Sequence, residues 1–189
     1  DRVNSDLLDI RQIFNAANYN IVQEFDISSE KFAEQFSLLY EVNSDKIESL
    51  ALYGNEGRLI ASEPVAVEKE NIDVTGQDWY KNAESAIENV HFSVPHIQNL
   101  YEDGLYRYHW VVSLSRYVDI NDGEIPGSGV LLVDMKYSVI EDVLKQINDS
   151  SEGIYYYMIS RDGQMIYHPR KTEMARGLFE ENSLKASGV

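Results

Sequence analysis

Ile47-Glu48-Ser49-Leu50-Ala51-Leu52-Tyr53, then Gly54-Asn55-Glu56-Gly57, then Arg58-Leu59-Ile60-Ala61-Ser62, is the stretch where the sequence changes from a helical to an extended period. The first run reads as a strand, the four middle residues as a turn, and the last run as the returning strand of a hairpin. Upstream, residues 3 to 25 carry Leu7, Ile10, Phe14, Ala17, Ile21 and Phe25 at spacings of three and four, one face of an amphipathic helix. Asp26-Ile27-Ser28-Ser29 interrupts it and offers N-caps for a second helix with Phe32, Phe36, Leu39 and Tyr40 on its stripe. The two read as separate helices or as one bent helix of about 40 residues, longer than a globular core usually needs and suited to a stalk or dimer seam.

Downstream, Asp78 to about Asn89 reads as a short helix, and Pro95 limits what precedes it to an edge strand or loop. Glu102-Asp103-Gly104 is a turn. Leu105 to Val118 reads as a long strand with Tyr106, Tyr108, Trp110, Val112 and Leu114 on one face and Arg107, His109, Val111, Ser113 and Ser115 on the other. Asp119 to Gly129 reads as a glycine-rich loop and Val130 to Tyr137 as the next strand. Ser138-Val139-Ile140-Glu141 has the form of a capping box for a helix through about Ile147. A second hairpin, Ile154–Ser160 and Gln164–His168 around Asp162-Gly163, repeats the first at an offset of 106 residues: Leu52 aligns with Met158, Glu56 with Asp162, Leu59 with Met165 and Ile60 with Ile166. A module of about 106 residues thus starts again near Ile154 and stops after 36, so the chain reads as a piece of something longer.

The 189 residues amount to one domain and a fraction at roughly 150 per domain, and an apolar share of 43% suffices for a core. The net charge of −16 excludes binding to a phosphate backbone and disfavours anionic lipid. The absence of cysteine excludes disulfides, thiolate zinc sites and a cysteine nucleophile. No apolar stretch approaches the roughly 20 residues of a membrane span, and no signal peptide opens the chain.

No catalytic constellation is legible: there is no phosphate loop, nucleophile elbow or His-Glu-x-x-His pair. His91 and His96 lie five apart around Pro95, not at the spacing of a helical metal pair. Asp119 to Gly123 is one residue short of a calcium loop and lacks its bidentate Glu, and reads as an acidic surface loop. Tyr106, Tyr108 and Trp110 read as a core face. Arg107, His109 and Ser113 opposite them are either a solvated sheet face or the floor of a polar pocket. Asp134, after Val130-Leu131-Leu132-Val133, stands either at the sheet rim or facing a ligand.

These elements in this order resemble the extracellular double-Cache (dCache/PDC, PAS-like) sensor family. Leu52 to Pro64, Gln77 to Ala83, Val112 to Tyr117, Gly129 to Met135 and Tyr156 to Pro169 carry the resemblance. It implies an α+β fold, with a long N-terminal helix packed on a PAS-like antiparallel sheet. Residues 1–45 would be that helix, 46–150 the membrane-distal sensor module, and 151–189 the truncated start of a membrane-proximal one. It also implies a small molecule held between the Trp-containing segment and the sheet. Amino-acid-binding members look like Arg-x-Trp-aromatic, then a Tyr in the next strand and an Asp ending a later one. Trp79, Tyr80 and Asp134 match; Gln77 stands where the Arg is expected, and His96, after Pro95, where the Tyr is expected. With Arg107 and His109 these are the candidate ligand-binding residues. Losing the Arg removes a bidentate grip on a carboxylate, so a neutral polar ligand such as a sugar or amide fits better than an amino acid.

The resemblance implies no catalysis, cofactor or metal. It is strongest toward YesM-type sensor histidine kinases of Gram-positive bacteria, a two-component system whose sensor faces outward from the cell membrane. Membrane contact would then come only through flanking helices, with a homodimer formed along the first helix. The alternatives are the ectodomain of a chemotaxis receptor or cyclase, a module reading another extracellular protein through its Tyr-rich surface, and a soluble cytoplasmic enzyme.

Overall fold

A computed structural model describes residues 9, 11–85, 90–103, 105, 107–123, 125–149, 153–159 and 163–178. Helix α1 covers residues 11–22; it is α-helical to Asn15 and π-helical over Ala16–Val22, where the Gln23 N–H donates to the Asn18 carbonyl five residues back at 3.0 Å. Phe14, Ala17 and Ile21 of the expected stripe are buried, and the wider turn also buries Asn18 and Val22; Leu7 and Ile10 lie outside the described residues. The chain then breaks at Asp26, whose carboxylate accepts from the Ser28 N–H at 2.8 Å and the Ser28 hydroxyl at 2.6 Å. Helix α2 (Glu30–Glu41) starts at Ser29, whose hydroxyl accepts from the Phe32 N–H at 3.1 Å. The N-terminal segment is therefore two helices. Phe32 and Phe36 stack one turn apart at 5.3 Å and bury against the sheet.

That sheet is antiparallel and contains β1 (Ile47–Gly54), β2 (Leu59–Glu63), β3 (His91–Phe92), β4 (His96–Ile97), β5 (Trp110–Asp122) and β6 (Ile125–Lys136). The order is β2-β1-β6-β5-β3, with β4 also on β5. The first and last long strands are neighbours, so the mixed helix and sheet fold is closed by long-range pairing. Alternation gives β5 and β6 two buried faces. Val112, Leu114, Leu131 and Val133 meet α1, α2 and α4 (Tyr137–Asp149) on one side. Val130 and Leu132 meet Trp79, Tyr80 and Ala83 of α3 (Asp78–Ser85) on the other.

Four readings change. The strand expected from Leu105 starts at Trp110, because the Asp103 carboxylate takes the Leu105 and Arg107 N–H groups at 2.8 and 3.2 Å and bends the chain into a loop. Tyr108 and Trp110 consequently lie outside the core, 78% and 51% exposed, while Tyr106 lies outside the described residues. The glycines of Asp119–Gly129 do not open a loop: the β5–β6 ladder runs on to Asp122 opposite Ile125. Gly129 is there for a close approach, since a Cβ would stand 2.0 Å from the Tyr53 carbonyl oxygen. Finally, α4 begins at Tyr137, one residue before the expected cap, and Glu141 pairs with Lys171 of α5 (Lys171–Ala175) rather than with its own helix start.

The second hairpin is present as β7 (Met158–Ile159) and β8 (Met165–Tyr167), with Ser160 and Asp162 outside the described residues. Its pairs are Met158 with Tyr167 and Ile159 with Met165, the first hairpin's Leu52–Ala61 and Tyr53–Leu59 moved by the same offset. Both ladders shift register at the same step.

Candidate functional site

Three polar side chains meet on the α3 side of the sheet because cross-strand register puts them abreast. Asp134 on β6 lies opposite Ser49 on β1 and Ser113 on β5. Its carboxylate accepts from the Ser49 hydroxyl at 2.9 Å and the Ser113 hydroxyl at 2.5 Å. At 1% exposure the charge has lost its hydration, and burial raises its pKa although both hydroxyls pull the other way. His96 on β4 reaches the same group, its Nε2 lying 3.3 Å from the Ser113 hydroxyl and its Nδ1 3.0 Å from the Val94 carbonyl.

Beside this floor lies a cavity of about 450 Å³ bounded by Ser49, Gln98, Tyr101, Glu102, Arg107 and His109. That volume suits a small molecule. The Tyr101 hydroxyl is 3.0 Å from the Tyr53 hydroxyl, and burial pushes both phenols well up, each raised further by the charges of Asp134 and Glu68. Oε1 of Glu68 is shut off from solvent and has no hydrogen-bond partner among the described residues. At the rim, Asp103 accepts from the Arg107 Nε at 3.2 Å and faces the His109 Nε2 at 2.8 Å; the His109 imidazole first, then the loop amides, holds its carboxyl well below the usual range. The other ring nitrogen of His109 lies 2.7 Å from Glu48.

Of the residues expected from sequence, Asp134, Ser113 and His96 form one hydrogen-bonded group, and Arg107 and His109 join through Asp103 at the cavity rim. Trp79 and Tyr80 are buried beneath the β1 turn: Trp79 packs at 5.4 Å against Tyr53, and the Tyr80 hydroxyl donates to the Gly54 carbonyl. Gln77 is apart from the others. Its carbonyl accepts from the Tyr80 and Lys81 N–H groups at the start of α3, and its side-chain amide donates to the Asp73 carbonyl. Ser49, Glu48, Glu68, Gln98, Tyr101 and Asp103 were not among the expected residues. Ser49 was legible in principle, as a hydroxyl alternating with Ala51 and Tyr53 on one face of β1; the others reach the site only through tertiary pairing, such as the Glu68–Tyr101 bridge.

The chemistry offered is that of a small concave site with carboxylate and phenol walls. It accepts hydrogen bonds readily and favours a ligand that donates them. Among the described residues no group of three His, Asp or Glu side chains is arranged to hold a metal ion.

The family model described as Cache domain matches residues 1–188. The curated proteins searched contained no match. Similar solved structures include the ligand-binding domain of the Pseudomonas fluorescens chemoreceptor CtaA in complex with L-valine: TM-score 0.61, 18% identity, covering 89% of this chain and 70% of that one. Two Pseudomonas aeruginosa amino-acid chemoreceptor domains are also similar. PctC in complex with GABA has a TM-score of 0.64 and 19% identity, with 90% of this chain and 70% of that one covered. PctB in complex with L-Gln has a TM-score of 0.59 and 20% identity, with 90% and 65% covered. The chain therefore spans about two thirds of the length of these relatives in fold.

Proposed function

The chain belongs to the Cache domain family, and from that premise we propose that it is the ligand-sensing part of a bacterial transmembrane signalling receptor. Cache domains are non-catalytic, extracellular sensor domains of membrane receptors. No helix among the described residues is long and apolar enough to cross a membrane. The ligand is a small polar molecule bound between the sheet and the segment carrying Gln98 to His109. The observation that supports this reading is Asp134, a buried carboxylate with two hydroxyl partners set beside a cavity. Burying such a group for stability alone is unfavourable; offering it to a donor group of a ligand gives it a use. Oε1 of Glu68, shut off from solvent and without a hydrogen-bond partner among the described residues, favours a ligand carrying an ammonium group over a neutral sugar or amide. Gln77, turned toward Asp73, is outside the ligand shell in this reading, and Trp79 and Tyr80 shape the wall rather than touch the ligand.

The output is proposed to be a YesM-type histidine kinase of a Gram-positive cell, on the likeness around Tyr156 to Pro169. A second reading, a chemotaxis receptor, is favoured by the chemoreceptor domains among the similar structures. In either, binding shifts the sheet against α1, which carries the change to the membrane as a monomer or as a homodimer along that helix; the ligand must prefer one arrangement of α1 over the other.

A thermal-shift screen of amines, amino acids, amides and sugars tests the site. A hit should raise Tm in the wild type and leave Asp134→Asn and Ser113→Ala unmoved. A hit that shifts both variants as much as the wild type overturns the assignment. The open reading frame around this sequence separates the two outputs.

A further inference from the structure

His109 ties three elements together at the edge of the cavity. It stands just ahead of β5; its Nδ1 lies 2.7 Å from Glu48 on β1 and its Nε2 2.8 Å from Asp103 in the loop that follows β4. A neutral imidazole has one N–H and one lone pair, so it can donate to only one carboxylate and turns its lone pair on the other. Only the imidazolium donates to both. All three side chains are about a quarter exposed, which leaves them half-shielded and accessible to protons.

The loop depends on this contact. Asp103 accepts from the Leu105 N–H, the Arg107 N–H and the Arg107 Nε, so wherever Asp103 is held, Leu105 and Arg107 are held as well. Asp103, Arg107 and His109 border both the 450 Å³ cavity and an adjoining one of about 440 Å³, with Gln98 and Tyr101 shared between them.

We propose that His109 is a proton-dependent clasp: the doubly bonded imidazolium fastens the loop to β1 over the Ser49–Asp134 floor, and deprotonation releases it. His109 is thus a positioning residue for the ligand site. The inference rests on the ligand-site reading for its purpose, while the clasp itself is read without any ligand.

The charges that face the ring are Glu48 from β1, Glu102, Asp103 and Arg107 from the loop, Lys69 across the adjoining cavity and, across the neighbouring groove, Lys136, Glu141 and Lys171. Lys171 is paired with Glu141, and Lys136 donates to the Ser44 carbonyl at 2.5 Å. Tyr40 from α2 lies near Glu48, and its phenol is raised first by burial and then by the Glu48 charge, so it stays neutral through the range in which imidazoles titrate. The two carboxylates are therefore the ring's hydrogen-bond partners, one on each nitrogen.

Hydrogen exchange by NMR on the isolated domain tests the clasp. The reporters are the Leu105 and Arg107 amides, with rates corrected for intrinsic exchange. Their protection should be high near pH 5 and fall by about tenfold or more by pH 8, the scale of losing a charge-assisted hydrogen bond. His109→Gln, which cannot carry the charge, should be low and flat across the range. Glu48→Gln, which keeps the volume but removes the charge on β1 that the ring holds, should lower the protection of both amides at pH 5 and guards against a His109 variant that fails to fold. Protection that is independent of pH in the wild type, or protection at pH 5 in Glu48→Gln equal to that of the wild type, overturns the clasp. Neither result bears on whether Asp134 binds a ligand; that is decided by the screen above.

Discussion

Asp134 is a carboxylate kept in the sheet against the cost of burying its charge. Its folded pKa is raised by burial above that of the unfolded chain. The native state therefore binds the proton more tightly. The associated stability is fully present below the unfolded pKa and lost as pH rises through the folded one. Asp134→Asn removes the charge and keeps one acceptor and one donor for the two serines. It should raise stability by about 1–2 kcal/mol at pH 7, the usual scale of relief at a site kept for function. The gain should vanish near the unfolded carboxylate range, and urea unfolding at both pH values is the check; equal stability at pH 7 would mean the two hydroxyls already compensate the charge. Little of this site was visible one residue at a time. Asp134 stood out because a charge follows four apolar residues, and Ser113 because it alternates with apolar neighbours. Glu68 and Tyr101 come from segments without periodicity and meet only because Glu68 bridges Tyr101.

Elements fail or hold here according to contacts that a local pattern does not contain. The β1–β2 hairpin was legible because an acid-Gly turn with Gly57 at φ +72° sits between two alternating runs. The π-helical turn of α1 was not, since it buries Val22, which a 3.6-residue period sets about a quarter-turn away from the Phe14–Ala17–Ile21 stripe. The start of β5 differs from its pattern for a related reason: the Tyr106, Tyr108, Trp110 alternation continues the strand period, but Asp103 captures the amides a ladder would need. Gly129 shows the converse, a residue that looks like loop and is required inside a strand. Gly129→Ala would drive a methyl group into the Tyr53 carbonyl, and because both partners are backbone in a central ladder, the cost should reach about 3 kcal/mol. A chemical-denaturation midpoint within error of the wild type would sink this account of the β1–β6 crossing. At the helical end the expectation is smaller: Ser29→Ala removes the acceptor for the Phe32 N–H and should cost about 1 kcal/mol by the same measurement.

Across the whole molecule the dominant fact is an excess of carboxylates, 32 acidic against 16 basic residues. Several cations are already committed among the described residues: Lys46 to Asp9, Arg107 to Asp103, Arg170 to Glu173 and Lys171 to Glu141. The remaining negative surface repels itself, and folding concentrates it. Salt acts on the attraction and the repulsion alike. It weakens exposed pairs, each worth about 0–1 kcal/mol, and it screens the longer-range repulsion as the Debye length falls from about 30 Å at 0.01 M to about 8 Å at 0.15 M. With a net charge of −16 the repulsion dominates, so Tm should rise over that range and level off beyond it. A Tm that falls with sodium chloride would show that the few ion pairs outweigh the excess. The same field draws a cationic ligand toward the cavity beside Asp134, so its association rate should fall over the salt range in which the fold becomes more stable. A neutral ligand would show only the first effect, and measuring both on one sample therefore reports the sign of the ligand's charge independently of its identity.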